Sequence, residues 1–211
     1  MTLKEPYVLS FTAASARIKE TVLICDLYLK MNDWHQVEEE VFRSNVLNKK
    51  KSATIKREFN EIKKRLANLN EKEMYLLVNS DTVTAKAMVH LAIVKTYSFI
   101  YEFIHEVINS KFIQFEKELS ESDYANFIDS KIGIHPELSS RSESTLNKIK
   151  QVTFQILEQT GIIDSAKSKT ILKPYLDAKC VNVILSDKPS LLSAFLYSDE
   201  EIKSLKNIIK A

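Results

Sequence analysis

A chain of 211 residues, 45% of them hydrophobic, carries enough apolar material for a core and has room for one domain or two small ones, which excludes a disordered tail. Lys and Arg total 30 against 28 Asp and Glu, a formal net charge of +2, so the molecule is no polycation and any affinity for anions must come from uneven placement of charge. Two glycines and four prolines are too few for the turns of a strand-rich or α/β fold, and they point to helices.

The opening "MTLKEPYVLSFTAAS" lacks a basic start followed by an apolar run, so no secretory leader is expected. Residues 12–30 form an amphipathic helix candidate ending near Asn32. Asp33 is placed to cap a second helix from Trp34, with Gln36 in capping-box position. The segment 45–66, "NVLNKKKSATIKREFNEIKKRL", supplies a third. Asn70 with Glu73 caps a short fourth, and residues 82–117 read as one long helix or as two joined near Asn109-Ser110. Within it, the apolar stretch 87–108 is interrupted by Lys95, Glu102 and Glu106, which suits a buried helix and not a membrane span. Ser120 with Asp123 starts another helix, ending near Gly133.

Past His135-Pro136, which breaks helical structure, Ser140 and Glu143 form a capping box for a helix running to Gly161. In "GIIDSAKSKTILKPYL" two short apolar runs flank a polar turn, the layout of a small β-hairpin, although no NG or DG turn is present. A helix followed by a hairpin is how a winged helix is built, and many unrelated folds share that layout. Short helices close the chain. The expectation is an all-α fold, a helical bundle with one small β-hairpin in a winged-helix-like C-terminal part. It divides into a helical domain at 1–138 and a smaller subdomain at 139–211.

The third helix holds the main functional signal. Its apolar residues Ile55, Phe59, Ile62, Leu66 and Leu69 are spaced 4, 3, 4 and 3 apart, one buried stripe. At roughly 100° per residue, Lys56 and Lys63 fall on one flank of that stripe. Arg57, Lys64 and Asn60 continue onto the outer face, and Glu58, Glu61 and Arg65 take the opposite flank. The charges are segregated, whereas a helix built for solubility mixes signs as i,i+4 pairs. Lys49, Lys50 and Lys51 add charge just before it. Successive turns set cations about 5–6 Å apart, suited to the closely spaced phosphates of a nucleic-acid strand. A solvated charged face and an anion-holding surface both remain open at this point. The helix 143–160 offers a second surface. Leu146, Ile149, Thr153, Ile156 and Leu157 turn inward, and Asn147, Lys148, Gln151 and Gln155 line the outside. Lysine and amides suit groove and phosphate contacts, and are also ordinary surface residues. Lys167 and Lys169, in the expected turn, stand where a wing touches an adjacent backbone.

Catalytic signatures are absent: no GxGxxG, GxxxxGK[ST], HExxH or GxSxG occurs, and two glycines leave no phosphate-cradling loop. The four histidines lack ligand spacing, so no metal and no cofactor is implied. His90 and His105 are expected at the core or its boundary. Cys25 and Cys180 each sit in an apolar run, as buried free thiols of a reducing cytosol do. Glu38–Glu40 reads as a solvated face. "DAK" at 177–179 lacks the strand and the second acid of a nuclease site. The aromatic residues Tyr97, Phe99, Tyr101, Phe103, Phe112 and Phe115 are of the kind that stacks on bases. On a helix apolar almost all round, they read as core.

Several stretches together resemble the BrxA proteins of BREX phage-exclusion systems: "YVLSFTAASARIKETVLICDLYLKMNDW", "NVLNKKKSATIKREFNEIKKRLANL", "HPELSSRSESTLNKIKQVTFQILEQTGII" and "LSDKPSLLSAFL". The likeness runs in order over nearly the whole chain, and the HPEL segment is its most distinctive part. That family is small, helical and described as similar to the antitermination factor NusB, with a proposed role in binding DNA. The resemblance implies a non-enzymatic, nucleic-acid-binding part of a defence complex in the cytoplasm. Other BREX components and DNA are its partners, RNA being the alternative, with no membrane and no small-molecule substrate. Lys56, Arg57 and Arg65, with Lys148 in the HPEL segment, match the family's basic pattern, and the lysines at 49–51 depart from it. The candidate nucleic-acid-binding residues are Lys49, Lys50, Lys51, Lys56, Arg57, Lys63, Lys64, Lys148, Gln151, Lys167 and Lys169. The competing reading is a structural adaptor whose basic helix meets an acidic partner.

Overall fold

The computed structural model describes residues 5–210, and for Ile209 and Lys210 the backbone alone. Residues 1–4 and Ala211, the outer ends of the two expected domains and of the stretch read for a leader, lie outside the described residues. The fold is all-helical. A 3₁₀ turn at Ser10–Ala13 is followed by α1 (Ile18–Met31), α2 (Trp34–Ser44), α3 (Ser52–Leu66), α4 (Glu71–Asn79), α5 (Thr82–Thr96) and α6 (Ser98–Phe103). A π-turn at Ile104–Asn109 leads into α7 (Ser110–Ile113), then α8 (Glu121–Ile132), α9 (Pro136–Ser139) and α10 (Glu143–Thr160). Next come α11 (Ala178–Asp187), a 3₁₀ stretch Pro189–Phe195 and α12 (Asp199–Lys210).

Local chemistry sets most boundaries. Asn70 with Glu73 and Ser120 with Asp123 each form a complete capping box. Asp33 caps α2 through the His35 N–H, but the Gln36 side chain donates to the Asp33 carboxylate instead of accepting from the Asp33 backbone N–H, so the box is half made. α1 closes on Asn32 in the left-handed region and α10 on Gly161 at φ +81°. α1 starts at Ile18 and not at residue 12, because a 3₁₀ turn and an irregular segment precede it. The cap of α10 is Ser142, paired with Thr145, in place of Ser140. Ser140 ends α9, its N–H donating to the Pro136 carbonyl, which leaves Ser142 as the extended residue that a cap requires.

The long apolar run breaks at Tyr97 and not at Asn109-Ser110. Helices 82–96 and 98–113 meet at 107°. Tyr97 is extended there (φ −120°, ψ 93°), and its hydroxyl is held beneath α3. Among the described residues no single helix is long and apolar enough to cross a membrane. α5 is buried continuously from Ala87 to Val94, as a central helix is. His90 on it bonds the Ala194 carbonyl at 3.0 Å, and burial pushes its pKa down to about 4. His105 is exposed, with its ring stacked on Tyr101. Cys25 and Cys180 are buried free thiols, pushed up to about 12 by burial.

The β-hairpin and its wing are not formed. Residues 162–176 make only isolated bridges, Ile163 with Ile171 and Glu118 with Thr170, and no strand occurs among the described residues. The donors of this segment alternate between two partners: Ile171 N–H reaches Lys117 O at 2.7 Å, and Leu172 N–H reaches Ile162 O at 2.8 Å. Lys169 sits at φ +55° and interrupts extension. The Asp164 carboxylate closes the turn by accepting from the N–H groups of Ser165 and Thr170.

Candidate nucleic-acid interface

The expected stripe of α3, Ile55 through Leu69, is buried throughout. The structure also buries what lies beside it. Glu58, Glu61 and Arg65, the flank 60–120° from the stripe centre on the roughly 100° helical wheel, are each less than a tenth exposed. The 3₁₀ turn and the segment Ala14–Arg17 cover that flank. Arg65 donates from Nε to the Tyr97 hydroxyl at 3.1 Å and from Nη1 to the Ser15 carbonyl at 2.6 Å. Its Nη2 reaches the Ala14 carbonyl at 2.5 Å. Glu61 accepts from the Tyr97 hydroxyl at 2.7 Å and the Ser10 hydroxyl at 3.1 Å, and pairs with Lys64 at 3.0 Å. Burial alone would raise the Glu61 carboxyl, but the hydrogen bonds from Tyr97 and Lys64 outweigh it and hold the carboxyl below its ordinary range. Glu58 accepts from Arg17 at 2.7 Å, with Lys49 at 3.5 Å.

The inward arc of α3 is therefore wider than its apolar stripe, and it takes in both acids. What remains outside is cationic. Lys50, Lys51 and Arg57 are exposed and form no ion pair among the described residues. Lys56 is exposed and loosely paired with Glu38 of α2 at 3.5 Å. Lys63 is half-buried, its ammonium 5.3 Å from the centre of the Trp34 ring. Lys49 and Lys64 lean inward on Glu58 and Glu61. Arg65, matched to the family's basic pattern, is fully buried and holds backbone in place. The sequence signal for its role was weak: a cation four residues after Glu61, at the edge of an apolar stripe.

The second surface is arranged differently. Asn147, Lys148, Gln151 and Gln155 are exposed on α10, as expected, with Lys148 bonded to the Gln151 side chain at 3.1 Å. Lys167 is exposed in the turn. Lys169 folds back onto Glu121 at 2.5 Å, over the Phe154 ring. Lys150 pairs with the same carboxylate. Those two lysines hold the Glu121 pKa down at about 2. No ion pair or side-chain hydrogen bond joins this surface to α3 among the described residues. Of the aromatic candidates, Tyr97, Phe99 and Phe103 are core, Tyr101 and Phe112 are half-buried, and Phe115 is exposed. Asp177 of "DAK" caps α11 through the Cys180 N–H.

Among comparisons with known proteins, a family model described as BrxA matches residues 5–188. The chain is 24% identical over 158 residues to the BREX protein BrxA of Escherichia coli O9:H4 (strain HS), covering 75% of this chain and 74% of that one. It is 28% identical over 149 residues to the BREX protein BrxA of Bacillus cereus (strain H3081.97), covering 70% and 72%. In fold it is similar to the crystal structure of an uncharacterized protein from Magnetospirillum magneticum. There the TM-score is 0.79 at 18% identity, over 90% of this chain and 97% of that chain.

Proposed function

We propose, for a chain that belongs to the BrxA family and is a component of a BREX phage-exclusion system, that it binds double-stranded DNA through the outer face of α3, in the cytoplasm and without catalysing a reaction. One observation carries this reading. The two carboxylates of α3 that would neutralise its cations are turned inward, while Lys50, Lys51 and Arg57 face solvent unpaired. A phosphate backbone supplies the missing negative charge, and binding then rests on counterion release with little dependence on base sequence. The tenancy of the other sites fits a binding protein: the buried histidine and the DAK aspartate are engaged in packing and capping.

The test is a titration of a short DNA duplex at two salt concentrations, for the parent and for Lys50→Glu/Lys51→Glu/Arg57→Glu. These positions are exposed, so the variant folds, each change costing about half a kcal/mol or less. Each lost phosphate contact flattens the log–log salt slope by about one unit, equally across DNA sequences. A folded variant that binds duplex DNA like the parent overturns the reading. If it also loses its BREX partners, α3 is the docking surface of an adaptor. Preference for an RNA duplex would change the ligand and leave the surface. Purified protein with Mg²⁺ or Mn²⁺ is expected to leave DNA uncut and unmodified.

A further inference from the structure

The HPEL stretch takes no part in the outer face of α3, yet a segment near the start of the chain ties it to that helix. Pro136 opens α9, Leu138 is fully buried, and His135 is 1% exposed. The Tyr7 ring stacks on the His135 ring, with centres 3.6 Å apart. The Tyr7 N–H donates to Glu137 Oε1 at 2.5 Å, the oxygen that also lies 3.0 Å from His135 Nδ1. The Tyr7 hydroxyl donates at 2.6 Å to Glu102, which also accepts from Lys131 of α8 at 2.6 Å. From this seat a strap, residues 7–17, runs to α3. Tyr7 and Phe11 both pack on Phe99, with ring centres 5.4 and 5.9 Å away. The Ala16 N–H donates to Gln159 of α10 at 2.8 Å, and the Ala14 and Ser15 carbonyls accept from Arg65. Ser10 and Arg17 engage Glu61 and Glu58. Side chains of other elements, more than a ladder of its own, therefore hold the backbone of the strap. Arg17, where the strap joins α1, sits at φ +50°, a left-handed backbone that a residue with a Cβ adopts under constraint. A segment held in this way opens locally at less cost than the helices it crosses.

We propose that the strap is a two-state element that regulates the DNA site. Closed on its HPEL seat, it holds Glu58 and Glu61 beneath α3. Open, it uncovers both carboxylates beside the cations that meet phosphate. The proposal rests on the DNA reading of α3 and names what controls that surface. Carboxylates facing phosphates cost affinity, so DNA prefers the closed form. By linkage, bound DNA then closes the strap to the same degree that the closed strap favours DNA. Tyr7, His135 and Glu137 are positioning residues: they lie off the outer face of α3 and act on DNA through the strap.

The experiment is amide hydrogen exchange on the full chain, with and without a saturating short DNA duplex. The reporters are the Tyr7 and Ala16 N–H groups, bonded to Glu137 and Gln159 and too buried for DNA to cover directly, with Leu91 in α5 as the core reference. In the free protein the strap amides exchange faster than Leu91, through local opening. Duplex DNA slows them by about fivefold or more, the usual range of such coupling. A second arm uses Tyr7→Ser, which removes the ring from its seat. It weakens DNA binding several-fold with the log–log salt slope unchanged, because the phosphate contacts are kept and only the fraction of closed protein falls. Tyr7→Phe, which keeps the ring and the N–H, retains most of the affinity. If Tyr7→Ser does not fold, the exchange measurement on the parent decides alone. The proposal is overturned if the strap amides of the free protein exchange as slowly as Leu91. It is also overturned if DNA binds and leaves their exchange unchanged, or if folded Tyr7→Ser binds DNA like the parent; in these cases the DNA reading stands. A parent that binds no duplex overturns the DNA reading and this inference with it.

Discussion

α3 and the α10–turn surface both carry several lysines, and the structure treats them in opposite ways. On α3 the nearby acids are drawn under the helix, where Arg17 pairs with Glu58 and Ser10 and Tyr97 donate to Glu61, and the outward cations keep their field. On the α10 side the acid is outside: Glu121 stands between Lys150 and Lys169 and takes up both charges. Availability of a cation thus depends on where its acids go, and that is settled by packing between elements far apart in sequence. The Ser10–Arg17 segment that covers the acidic flank of α3 lies some forty to fifty residues before it.

The largest effect is expected at Arg65. Arg65→Ala leaves the carbonyls of Ala14 and Ser15 and the Tyr97–Glu61 pair without their buried donor. Loss of one partner from such a buried charged network destabilises by about 3–5 kcal/mol, to be read as a shift in the urea midpoint. Arg65→Lys recovers little, because one ammonium cannot replace a planar fork on several acceptors. A variant as stable as the parent would mean that α3 is seated by its apolar stripe alone.

The Lys50, Lys51 and Arg57 reversal comes next, with a salt slope flatter by up to about three units. The matching change on the other surface works in the opposite direction. Glu121→Gln releases Lys150 and Lys169, so the salt slope of DNA binding is expected to steepen by up to about two units. An unchanged slope would show that this face lies out of reach of DNA bound to α3. The same variant has a pH signature. The Glu121 pKa falls from an ordinary 4.5 to about 2 on folding, so its contribution is complete above about pH 4.5 and is lost as the pH drops towards 2. The group is largely exposed, which limits the effect to under about 1 kcal/mol. Thermal midpoints of parent and Glu121→Gln should therefore converge between pH 4.5 and 2. The smallest effect is expected for Lys148→Ala, which removes only a bond to Gln151. It should move stability by less than about half a kcal/mol, and DNA affinity by a comparably small factor in the same titration.

The helical class, the capping boxes at Asn70 and Ser120, the Gly161 terminus of α10 and the buried stripe of α3 are all legible in the order of the residues. Each rests on interactions within a few residues, where a side chain and the backbone it caps, or a period of 3.6, are legible without a partner. The sequence also ordered the charges around α3 correctly. It did not reveal that the burial extends past the stripe to Glu58, Glu61 and Arg65, that the apolar run bends at Tyr97, or that the polar turn at 164–169 is closed by Asp164 and bridged to residues 117–119. Nor did it mark Tyr7, His135 and Glu137 as neighbours. A helical wheel gives the angle of each side chain about its own axis, but which arc is covered depends on what packs there. For α3 the covering residues are Ser10 to Arg17 and Tyr97, brought together only when the chain closes on itself, and their hydrogen bonds make burial of the charged flank stable.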